Sequence, residues 1–167
     1  MEFQVYITQF KSGWSSILRL TTTKDDCCAD GDRILAVLTH PDPYAGDSVS
    51  LLYICTTTIK DTGQTCFKTT SERDKWTYIR ISQRSEIVGL SKYEVEVSGV
   101  LIGSAEVDNG DLFFLENIKV YASDPFYSNA NGKIRDLKIH MDVKGSYLYI
   151  CLLALQHTKY TLFTSPL

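Results

Sequence analysis

The chain has 167 residues, 44% of them hydrophobic and 22% charged, which is the composition of a globular protein and excludes both a disordered chain and a fibrous repeat. That length suits a single domain spanning 1–167, since one core of this size buries about two-thirds of the unfolded surface. Seventeen basic against twenty acidic side chains leave a net charge of −3, which lacks the positive field that a phosphate backbone requires and argues against a nucleic-acid partner.

The first element is read from Phe3, Val5 and Ile7, which alternate with Gln4, Tyr6 and Thr8 in the period-two pattern of a strand with one buried face. The pattern recurs at 17–20, 34–38, 49–54, 76–81 and 93–97, each run being short and bounded by Gly, Pro, Asp, Asn or Ser. Further runs at 112–121, 134–143, 147–155 and 160–163 continue it. No window of ten residues carries a helical period, although 82–90 has room for one helical turn. About ten antiparallel strands in two packed sheets, an all-β sandwich of jelly-roll or phospholipid-binding type, is the expected fold.

Turn residues agree with this reading. Asp108-Asn109-Gly110 supplies the positive-φ positions of a tight hairpin before Leu112, and Lys144-Gly145 does so before Tyr147. Asp61-Thr62-Gly63 lies between Cys55 and Cys66 and puts those cysteines on adjacent strands of one hairpin, where a cross-strand disulfide and two free thiols are equally open. Residues 23–32, 40–47 and 123–132 read as exposed loops, the places where a β scaffold usually carries its contacts.

No segment is apolar over the roughly 20 residues that a membrane-spanning helix needs, since the longest apolar run covers only 148–155. Met1 leads directly into the first alternating run with no basic and apolar leader, so no secretory signal is read in this chain. Five cysteines are more than a typical cytosolic domain carries, but the number is odd and the spacing is not that of a dense disulfide scaffold. They leave the compartment open, and an extracellular or cell-surface setting is expected from a recognition role.

Chemistry-bearing groups are few. Asp25, Asp26, Asp30 and Asp32 place four carboxylates in one loop, a candidate calcium site, because calcium takes six to eight oxygen ligands from flexible loops. A solvated acidic turn is the competing explanation, and no cofactor is required by anything in the sequence. Cys27 and Cys28 lack the second Cys or His pair that a zinc site needs. His40, His140 and His157 are widely separated, and neither a nucleophile elbow nor a metalloprotease helix motif is present, so no catalytic residues are assigned and the chain is not read as an enzyme. Glu94 and Glu96 share one face of their run, with Tyr93, Val95 and Val97 on the other, which is the pattern of a polar outward face.

Aromatic residues are the remaining signal. Trp14 stands in the turn-like run Lys11-Ser12-Gly13-Trp14-Ser15, while Tyr44 and the Phe126-Tyr127 pair fall in loops. Such rings either pack over the end of a sandwich or anchor a protein, a sugar ring or a lipid headgroup layer. Trp76, inside an alternating run, is expected in the core. Asp108, Asn109 and Asp111 add the polar side chains that a shallow lectin-type site would use.

The opening run Phe3-Gln4-Val5-Tyr6-Ile7-Thr8-Gln9-Phe10 with Gly13, the Cys27-Cys28 doublet and the strand at 33–38 resemble the amino-terminal domain of Delta- and Jagged-type Notch ligands. The resemblance implies a phospholipid-binding-type β-sandwich whose loops contact lipid or receptor, sometimes with calcium, and it places those roles on residues 25–32 and the neighbouring tips. Independently of the resemblance, a β-sandwich with exposed loops, loop aromatics and no catalytic constellation leads to an expected function of non-catalytic recognition of a protein or glycan through loops at a cell surface. A lectin or calcium-dependent lipid-binding module, or a self-assembling structural or viral subunit, is the alternative.

Overall fold

The computed structural model describes residues 1–21, 35–41, 49–57, 64–87, 90–108, 119–122, 127–143, 146–155 and 159–161. All regular structure among them is β, in two packed sheets. The strands are β1 (Glu2–Gln9), β2 (Ser15–Thr21), β3 (Leu35–Pro41), β4 (Val49–Thr57), β5 (Gln64–Glu72), β6 (Trp76–Ile87), β7 (Leu90–Val97), β8 (Val100–Asp108), β9 (Lys119–Tyr121), β10 (Ser128–Asn129), β11 (Asn131–Val143), β12 (Ser146–Leu155) and β13 (Lys159–Thr161). One sheet runs β12-β11-β1-β6-β7-β8, and the other runs β13-β9-β2-β3-β4-β5 with β10 added beside β2. The sandwich is thus antiparallel as expected, except that the two-residue β10 pairs with β2 in parallel.

Alternation builds the core. Phe3, Val5 and Ile7 of β1, Ile79 and Ile81 of β6, and Tyr93, Val95 and Val97 of β7 face Leu18 and Leu20 of β2, Val37 of β3 and Leu52 and Ile54 of β4, all of them buried. Glu94 and Glu96 point the other way and pair with Arg84, Lys92 and Arg80, as their spacing indicates. At the Ser98-Gly99 turn both residues have positive φ, 51° and 83°, which matches the twist of the β7–β8 hairpin. Gly132 is needed where β11 passes β1, because a Cβ there would lie 2.3 Å from the carbonyl oxygen of Tyr6.

Four expectations need correction, the first being the 40–47 loop, whose first two residues, His40 and Pro41, instead close β3 through pairing with β4. The 82–90 segment holds no helical turn: β6 continues to Ile87 and β7 starts at Leu90, because pairing with β7 satisfies the backbone that a helical turn would otherwise satisfy alone. The 123–132 loop is shorter than read, since Ser128 and Asn129 join β2 and β11 begins at Asn131. Trp76 is not a core residue. It belongs to the polar face of β6, with Thr77 and Ile79 turned inward, and its ring lies against Tyr6 and Arg135.

The β4–β5 hairpin aligns Cys55 directly with Cys66, and the two form a disulfide with Cα atoms 4.1 Å apart. Cys55 is buried while Cys66 faces solvent. Among the described residues no helix is long and apolar enough to cross a membrane.

Candidate functional site: an aromatic cluster on the outer face of the seven-stranded sheet

The inner face of the sheet containing β2, β3 and β4 builds the main core, so the intervening residues of those strands look outward. On β3 these are Ala36, Leu38 and His40, and on β4 they are Leu51, Tyr53 and Cys55, paired across the strands as Ala36 with Cys55, Leu38 with Tyr53 and His40 with Leu51. Outward positions in a sandwich are usually polar, but here Ala36, Leu38 and Cys55 are buried and form a second, small apolar cluster, with Tyr53 and Tyr127 packed against it.

Trp14 lies over this cluster. The β1–β2 connection carries it back across the outer face, where its ring meets His40 at a centroid distance of 4.8 Å and Tyr53 at 4.8 Å, tilted by 57° and 58°. Tyr127 approaches to 6.5 Å. Tilted pairs at these separations suit the ring quadrupoles and contribute about 0.5–1.5 kcal/mol each beyond the area they bury. Trp14 nevertheless keeps 40% of its surface in water.

Short polar contacts hold the turn. Ser128 Oγ donates to the Trp14 carbonyl at 3.1 Å and lies 3.1 Å from Ser15 Oγ, while the Ala130 amide donates to the Ser16 carbonyl at 2.9 Å. The parallel pairing of Ser128 and Asn129 with Ser15 and Ser16 fixes the same segment and brings Tyr127, the residue before β10, to Trp14.

The fold therefore unites two residues singled out from sequence, Trp14 and Tyr127, and adds two that sequence reasoning passed over in this role, His40 and Tyr53. Tyr53 carried a usable signal, since Leu52 and Ile54 on either side are core residues and force it outward. Asp108 closes β8 at the edge of the six-stranded sheet, away from the strands that carry the cluster. Tyr44, Asn109, Asp111, Phe126 and the acidic loop residues Asp25, Asp26, Asp30 and Asp32 lie outside the described residues. Among the described residues no three His, Cys, Asp or Glu side chains converge as a metal ion would need.

Chemically, a half-exposed indole flanked by an imidazole and two phenols offers a ring face to C–H groups or cations. No protein-family model, curated protein or solved structure matches this chain.

Proposed function

We propose that this protein is a non-catalytic recognition module that acts outside the cell or at its surface and holds a protein or glycan partner through the aromatic cluster of Trp14, His40, Tyr53 and Tyr127. The observation that carries the reading is a tryptophan kept 40% exposed while packed between two rings and tied down by β10. Large rings fixed at a surface are typical anchors, because they supply contact area with little loss of side-chain freedom on binding. The Cys55–Cys66 disulfide is compatible with an oxidising compartment, and the resemblance of the first strand and the Cys27-Cys28 loop to Notch ligands points the same way.

Binding of fluorescent protein to cell surfaces and to a glycan array, with and without chelator, tests the proposal. Wild type should bind, and Trp14→Ala should lose at least about tenfold in affinity while keeping its melting cooperativity. No binding by wild type, or equal binding by the variant, overturns it. Loss of binding in chelator would assign a calcium role to the loop of Asp25, Asp26, Asp30 and Asp32.

A second reading, self-assembly as a structural subunit, draws on Val100 and Leu101, which are 64% and 53% exposed at the start of the edge strand β8. Apolar side chains on a sheet edge favour pairing with another copy. Sedimentation equilibrium decides it: a monomer at working concentration removes this reading.

A further inference from the structure

The outer face of the six-stranded sheet has a different chemistry from the aromatic cluster. Where β11, β1 and β6 run side by side, the pairing sets six outward residues in two rows, Lys133-Tyr6-Trp76 and Arg135-Gln4-Tyr78. At ordinary strand spacing this grid measures roughly 10 Å by 7 Å, the size of one or two sugar rings. It holds three aromatic rings, one amide and two cations, with Asp136 bonded to Gln4 and Arg135 and Glu2 accepting from the Tyr78 hydroxyl at its border, in a chain whose net charge is −3. We infer that this grid binds an anionic polysaccharide.

Each part of the grid has a matching role. Arg135 lies flat on the Trp76 ring, with its guanidinium carbon 3.9 Å from the ring centroid, and its Nη2 donates to Gln4 Oε1 at 2.9 Å. Asp136 lies 3.6 Å from its Nε. The guanidinium plane is thus set before any ligand arrives, and Nη1 has no partner among the described residues. A fixed guanidinium suits a planar carboxylate or a sulfate. Lys133 is exposed and has no hydrogen bond or ion pair among the described residues, although it stands one strand away from Tyr6. By contrast the neighbouring Lys138 and Arg80 already face Glu2 and Glu96 at 3.1 and 3.7 Å. Among the described residues Lys133 therefore faces no carboxylate, whereas Arg135, Lys138 and Arg80 each face one.

Sugar rings present apolar C–H faces to the aromatic residues, while the acidic substituent meets Lys133 and Arg135. The Gln4 amide is engaged within the face, its Oε1 accepting from Arg135 Nη2 and its Nε2 donating to Asp136 Oδ2 at 3.1 Å. The carboxylates at the border, Glu2 and Asp136, and the overall negative charge oppose a purely electrostatic attraction, so the ring contacts must carry part of the affinity. The site is independent of the Trp14 cluster, which lies on the other sheet.

Biolayer interferometry on immobilised heparin, polygalacturonate and neutral dextran at about 50 mM salt tests the inference, a low ionic strength at which surface charges are little screened. Retention on either charged polymer but not on dextran is expected, and the choice between them identifies sulfate or carboxylate as the recognised group. Lys133→Glu should weaken binding about tenfold or more, Lys133→Arg should keep it, and Trp14→Ala should leave it unchanged. Lys133 is exposed and unbonded among the described residues, so neither Lys133 variant threatens folding. The inference is overturned if wild type prefers neither charged polymer to dextran, if Lys133→Glu binds like wild type, or if oligothymidylate displaces the polysaccharide at equal charge. Loss of heparin or polygalacturonate binding in Trp14→Ala would instead assign the ligand to the aromatic cluster.

Discussion

Gly103→Ala is a sharp test of how the sandwich is closed. Gly103 lies in β8, the edge of one sheet, and Phe67 lies in β5, the edge of the other. A Cβ at position 103 would stand 2.0, 2.4 and 2.7 Å from three atoms of the Phe67 ring, where carbon atoms normally approach to about 3.5–4.0 Å. The ring must therefore move by more than an ångström, and it has little room to do so. On its inner side it is stacked on buried Tyr93, with centroids 6.1 Å apart and planes at 18°. Overpacking of this kind costs about 1–3 kcal/mol, or roughly 2–4 °C of Tm per kcal/mol in a chain of this length. Urea unfolding followed by the fluorescence of Trp14 and Trp76 measures it. Phe67→Leu alone loses packing, but in the Gly103→Ala background it removes the clash, so the double mutant should be about 1–2 kcal/mol more stable than the sum of the single effects. Strict additivity would refute the claim that the Phe67 ring covers Gly103 and seals this side of the core.

The remaining predictions concern the disulfide, the buried phenol and the salt bridges of β7. Cys66→Ser or reduction should destabilise the fold by about 3 kcal/mol, the loop-closure value for a separation of 11 residues, and a melt unchanged by reductant would show that the bond adds nothing. Tyr93 is 5% exposed and its hydroxyl has no partner among the described residues, so Tyr93→Phe should be neutral or stabilising by about 1 kcal/mol in chemical denaturation. Burial pushes the Tyr93 phenol well above its ordinary value of 10.0, so the unfolded chain ionises first. Stability is then full below pH 10 and falls as pH rises beyond it, and Tyr93→Phe should flatten that alkaline fall. Lys92, bonded to Glu94, and then Arg84 and Arg80 hold the Glu94 carboxyl below the usual carboxylate range. Its contribution is present above that range and is lost as pH falls through the lowered value, so Glu94→Gln should make the acid-side decline of stability shallower.

Strand positions were legible because the two-residue period survives wherever one face is buried, as at Phe3-Val5-Ile7 and Tyr93-Val95-Val97. The Cys55–Cys66 register followed from hairpin geometry, but whether the thiols were joined did not, since spacing alone fixes only proximity. Strand β8 was harder to read, because its outward Val100 and Leu101 and its Gly103 blur the alternation. Trp76 was misjudged for a related reason. Period two shows that a residue alternates, not which face is inner, and a tryptophan biases that choice toward the core even when Thr77 and Ile79 take it. Of the candidate site, Trp14 and Tyr127 were visible as loop aromatics, but their meeting depends on the two-residue strand β10, too short to carry any period.

That short strand also bears on affinity. A ring in a free loop must be ordered when a partner binds, at about 0.5–1.5 kcal/mol for each immobilised side chain. Trp14 avoids part of this cost, because its carbonyl accepts from Ser128 Oγ at 3.1 Å and its ring is already set against His40 and Tyr53. Ser128→Ala leaves the rings in place chemically but removes this tether and the 3.1 Å contact with Ser15 Oγ. It should weaken partner binding severalfold by slowing nothing in encounter and hastening release, with Tm lowered by only a few degrees for the loss of one or two exposed hydrogen bonds at about 1 kcal/mol each. Stopped-flow association and dissociation rates separate the two effects. An unchanged off-rate in Ser128→Ala would mean that β10 holds the sheet edge but does not prepare the aromatic surface for its partner.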